Sequence, residues 1–99
     1  MVMEVFMDPE IRQHVFRRDR WICRTCFESV HRHGTPQIAH KIADTKSNRK
    51  MYGDAVVDHP DNLAATCCLA CNSAQNIGFK TVQAAELAAA IKEKICANS

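Results

Sequence analysis

The chain has 99 residues, a formal net charge of +2 and six cysteines. That length suits one domain, and no apolar run is long enough to cross a bilayer as a helix, which excludes a helical membrane protein. A domain this small buries a limited share of its surface and commonly relies on a staple, which cysteines can supply.

The first seven residues include Glu4 and lack a basic stretch followed by an apolar core. No secretory signal is expected, and the chain reads as cytoplasmic, where paired cysteines bind metal more often than they form disulfides. Asp8-Pro9-Glu10 is a helix start: a capping oxygen, a proline whose missing N–H is harmless there, and an acid in the first turn. A helix over residues 9–18 follows, with Ile11, Val15 and Phe16 as its apolar stripe. Trp21 leads into Cys23-x2-Cys26, a knuckle turn, and residues 27–36, with Gly34 and Pro36, read as a loop or short hairpin. His14, His31 and His33 read as surface histidines.

Residues 37–42 form a short strand that contains His40. Residues 44–53 are polar and basic without apolar periodicity, which predicts a loop. Pro60-Asp61-Asn62 reads as a turn, with Asn62 suited to a helix N-cap. Residues 63–76 place small and apolar residues at helical spacing, and Gly78 stands where a helix commonly ends. Thr81 caps a last helix over residues 82–96, whose stripe is Ala84, Leu87, Ala88, Ile91 and Ile95. That face either closes over the core or packs on a second copy as a homodimer.

The charge is uneven. Residues 12–50 hold ten basic side chains against Asp19, Glu28 and Asp44, a net of +7. A basic half of this kind suits DNA or RNA.

The cysteine spacing Cys23-x2-Cys26-x41-Cys68-x2-Cys71 is that of two knuckles sharing one tetrahedral ion. Four thiolates close the coordination sphere and make a zinc ion structural. Cys68 is preferred to its neighbour Cys67 because it alone has the x2 spacing to Cys71. Cys67 then reads as a small buried hydrophobe and Cys96 as part of a helix face. A thiol redox protein is the weaker reading of the same pairs, since the chain lacks the βαβ context.

Four pieces in order resemble the HNH endonucleases: Arg18-Asp19-Arg20-Trp21-x-Cys23-x-x-Cys26, Ala39-His40, His59-Pro60-Asp61-Asn62-Leu63, and Cys68-x-x-Cys71-Asn72-Ser73. The resemblance covers about sixty residues, 20–78. It implies an α+β fold: a small zinc-stapled ββα-metal core, flanked in a single 1–99 domain by the N- and C-terminal helices. It also implies a metal-dependent endonuclease that hydrolyses DNA phosphodiester bonds and nicks one strand per active site. His40 would be the general base, Asn62 would brace its loop, and Asn72 would hold a catalytic Mg²⁺ or Mn²⁺. Asn76 reads as a surface residue that could also support the ion.

Two departures stand out. The family's metal ligand before the base is here Ala39, so Asp44 is the first candidate to replace it and Gln37 the second. Asp58-His59 supplies the family's expected dipeptide but lies too close to Asn62 to be that pair, and His59 reads as part of the turn before the helix. The family's lysine after the second knuckle is also missing, so phosphate contacts fall to Arg17, Arg18, Arg20, Lys41, Lys46, Arg49 and Lys50, with Lys80 beside them. The rival reading is a zinc-stapled nucleic-acid-binding module without catalysis.

Overall fold

The computed structural model describes residues 8–77 and 80–97; the N-terminal stretch read for a signal and the helix stop at Gly78 lie outside them. Helix α1, Pro9–Arg18, begins as its cap signal implies, with the Asp8 carboxylate accepting the Glu10 N–H at 2.9 Å. Val15 and Phe16 turn inward and pack with Val30, Leu63 and Ala65 in one of two apolar clusters. The chain leaves α1 through Arg20 and Trp21, both with φ near 60°, and the Trp21 ring stacks on Phe16 at 4.8 Å.

Next comes a tight knuckle. Ile22 pairs with Ser29 as an isolated antiparallel bridge. The Cys23 N–H donates to Glu28 O at 2.7 Å, and the Phe27 N–H donates back to Cys23 O at 2.9 Å. The Arg24 N–H reaches Ala65 O at 2.8 Å, tying the knuckle to the sheet.

The sheet has two antiparallel strands, β1 (Gln37–His40) and β2 (Leu63–Thr66), with Gln37 opposite Thr66 and His40 opposite Leu63. Their connection contains α2 (Lys46–Tyr52), α3 (Asp54–Val57) and a 3₁₀ turn, Pro60–Asn62. After β2 come α4 (Leu69–Ala74) and α5 (Thr81–Ala97). The architecture is α+β: a two-stranded antiparallel sheet, surrounding helices and a cysteine cluster.

Two expectations give way. Residues 44–53 are not a loop, because Lys46–Tyr52 is helical. No apolar period announced it because the helix buries none of its residues; it is set by Thr45, whose hydroxyl accepts the Asn48 N–H at 3.0 Å. Residues 63–66 are strand, not the start of a helix. All four are buried, and a short Ala-rich segment enclosed on both faces takes its state from its partner strand rather than from propensity.

Helix α5 closes the second cluster: Ala84, Ala88 and Ile91 pack with Ile42 and Val56, with Tyr52, Ile77, Leu87 and Ile95 at the edge. Its apolar stripe is therefore covered by the chain's own residues. Lys94, one turn further, pairs with Asp61 of the 3₁₀ turn.

Candidate functional site: a thiol cluster and a buried histidine

The knuckle, the end of β2 and the start of α4 bring sulfur atoms together. The Sγ atoms of Cys23, Cys26, Cys67 and Cys71 all lie within 4.8 Å of one another. Cys67 Sγ is 3.6 Å from Cys26 Sγ and 3.8 Å from Cys71 Sγ. This corrects the choice made on spacing: Cys67 stands in the four-sulfur group and Cys68 does not. The reason is local. Cys67 continues the buried line of β2 and is 1% exposed, whereas Cys68, half-buried, stands at the extended N-cap of α4. The signal available in the sequence was only that two adjacent cysteines competed for one place.

The donor set fits a zinc-like ion. Four sulfurs at this spacing can converge on one tetrahedral centre. Burial raises the Cys23 thiol, but the N–H groups of Cys26, Thr25 and Cys67 together outweigh it and bring its pKa down to about 6. Burial, with the adjacent sulfurs, pushes Cys67 up to about 12 and raises Cys71 as well. Such a cluster holds protons that a dication displaces on binding. The Thr25 hydroxyl, donating to Cys71 O at 2.8 Å, ties the knuckle to α4.

The second place is the end of β1. His40 is 18% exposed in its side chain, and its Nε2 is buried without a hydrogen-bond partner among the described residues. Burial is the main cause that lowers its pKa; Asp44 and Asp58 oppose it and Arg49 adds to it. Asp58 Oδ1 lies 4.0 Å from Nε2. The Asp58-His59 dipeptide, set aside on its spacing to Asn62, thus brings its aspartate to the histidine of β1.

Asn62 is fully buried and is not a helix N-cap. Its Oδ1 accepts the Ile42 N–H at 2.8 Å, and its Nδ2 donates to Ile42 O and Val57 O at 3.1 and 2.9 Å. It thus clamps both ends of the β1–α3 excursion, two residues beyond His40. Asn72, in α4, donates to Gln37 Oε1 at 3.2 Å and Ile38 O at 3.3 Å, so its amide locks the helix against β1.

Asp44 is engaged by Arg49, which also holds two further carboxylates. Arg49 donates to Asp44 at 2.6 Å, to Asp54 at 2.9 Å and to both oxygens of Asp58 at 2.8 and 3.0 Å. Hydrogen bonding from Arg49 is the main cause that holds Asp44 below the usual carboxylate range. Arg49 is thereby committed internally. So is Arg18, which binds the Asp19 carboxylate twice and the carbonyls of Pro60 and Leu63, both at 2.7 Å. Arg17, Arg20, Lys46 and Lys50 are exposed, and Lys41 is half-buried with Nζ 3.4 Å from Asp61 O.

Comparison with family models, with curated proteins and with solved structures returns no match.

Proposed function

We propose that this chain is an endonuclease of the HNH type, hydrolysing DNA phosphodiester bonds with His40 as general base. One observation carries the reading: a buried imidazole nitrogen at the end of β1, without a hydrogen-bond partner among the described residues and with its pKa lowered by burial. A neutral imidazole can take a proton from an attacking water at ordinary pH. Asn62 supports it by fixing the chain two residues on, so that the ring keeps its direction while the proton is transferred. The order of β1, β2 and α4, with Asn72 joining helix to strand, agrees with a ββα core. Arg17, Arg20, Lys46 and Lys50 would hold the DNA backbone, giving affinity with little sequence preference.

A zinc ion held by Cys23, Cys26, Cys67 and Cys71 would contribute folding free energy by joining the knuckle to β2 and α4. The Mg²⁺ or Mn²⁺ that the resemblance implies finds no such donor set among the described residues. Asp44, Asp54 and Asp58 are all bound to the single Arg49 guanidinium, and the Asn72 Nδ2 donates to β1.

The same observation favours a second reading, a zinc-stapled DNA-binding module without catalysis. Ala39, buried in the sheet beside His40, offers no ligand. Conversion of supercoiled plasmid to open circles, with and without Mg²⁺ or Mn²⁺, separates the two. Nicking by the wild type that is absent in folded His40→Ala supports the nuclease. Retardation of DNA by both proteins without nicking supports the module.

A further inference from the structure

We propose that His33, Cys67 and Cys68 form a second site for a zinc-like dication, which shares the Cys67 thiolate with the four-sulfur site. The inference rests on reading Cys23, Cys26, Cys67 and Cys71 as metal ligands and extends it. One ligand atom from each of His33, Cys67 and Cys68 lies within 4.8 Å of the other two. Cys67 therefore belongs to both groups. A single tetrahedral ion has four positions, whereas this corner of the fold gathers five sulfurs and an imidazole. A thiolate has lone pairs enough to bridge two ions, and soft sulfur with imidazole is the donor set that d¹⁰ dications prefer.

The fold brings the third ligand in deliberately. His31 stacks on Trp21 at 5.6 Å. The His31 N–H donates to Ser29 Oγ, and the Arg32 and Gly34 N–H groups close successive turns onto Ser29 O and His31 O. Gly34 completes the reversal at φ 102°, and the exposed loop carries His33 back to the end of β2. Three protein ligands, one of them exposed, leave a fourth position open to water or an added thiol. A second dication also offsets the negative charge that four thiolates leave around the first.

The test is metal stoichiometry of the full chain, stripped and titrated with Co²⁺ or Cd²⁺, read by native mass spectrometry and by the thiolate charge-transfer band. Wild type is expected to take two equivalents, the second more weakly. His33→Ala/Cys68→Ser is expected to take one, with the first band unchanged. His33→Ala alone, a change in an exposed loop, should weaken the second equivalent at least tenfold while the first still restores the folded circular-dichroism spectrum. Saturation of the wild type at one equivalent overturns the second site and leaves the first standing, as does a double variant that still takes two. A chain that takes no metal overturns both. None of these readouts depends on nuclease activity.

Discussion

His40 Nε2 lies 4.0 Å from Asp58 Oδ1, while Arg49 binds both oxygens of that same carboxylate at 2.8 and 3.0 Å. The imidazole is thus beside a carboxylate that shares the single Arg49 charge with Asp44 and Asp54. Burial nevertheless prevails over the attraction of Asp44 and Asp58, and the ring's pKa falls below its ordinary value.

For the proposed nuclease, kcat/KM should be flat around pH 7 and fall as the pH drops through the His40 pKa, which lies below the ordinary ~6.5. The sign follows from the base being active when neutral. Asp58→Asn removes a group that raises that pKa, so the acid limb should move to lower pH. Arg49→Met removes one that lowers it and releases three carboxylates, so the limb should move up. His40→Ala should reduce the rate about 10²–10⁴-fold. An acid limb unmoved by both neighbours would remove His40 from the reaction.

Asn62→Ala should destabilise the fold by about 3–5 kcal/mol, since it leaves two backbone carbonyls and one N–H unpaired inside the protein. Urea unfolding of the zinc-loaded protein measures it. A loss under about 1 kcal/mol would mean that the clamp between Ile42 and Val57 is not structural.

Chelation should unfold the chain, and the two neighbouring cysteines should differ. Cys67→Ser should strip the first Co²⁺ equivalent of its four-thiolate spectrum, because it removes the buried sulfur between Cys26 and Cys71. Cys68→Ser should leave that spectrum in place. The reverse result would restore the x2 spacing as the guide.

Arg18 and Arg17 are adjacent but should behave differently. Arg18→Ala leaves Asp19, 7% exposed, with the Ala65 N–H as its hydrogen-bond donor and the Arg24 charge nearby. The loss should be about 2–3 kcal/mol, allowing for Arg18 being partly open to water. Arg17→Ala, Lys46→Ala and Lys50→Ala should leave stability unchanged. Each should reduce the dependence of log K on log salt by about one if these residues meet phosphate. Uniform loss of stability across all four would refute the division into internal and surface cations.

Helices α1 and α5 were legible because their information is local. Asp8-Pro9-Glu10 caps one, and the stripe from Ala84 to Ile91 orients the other. That thiols would converge was equally legible, since a Cys-x2-Cys turn aims two sulfurs at one point whatever surrounds it. The histidine at the end of β1 could be named from its order among the other motifs. Its chemical state could not, because burial and the Arg49–Asp58 pair arise from segments 9 to 18 residues away in the chain.

Tertiary structure alone decided the rest. Residues 63–66 have helical spacing, yet they are strand because β1 supplies partners for their N–H and C=O groups and the core encloses both faces. Cys67 rather than Cys68 joins the sulfur group because β2 ends where it does. Arg18 and Arg49, counted by sequence among the residues for DNA, are held by Asp19, Asp44, Asp54 and Asp58. Sequence determines which residue types exist and which local turns they favour; only the packed chain determines which charges meet and which polar atoms lose their water.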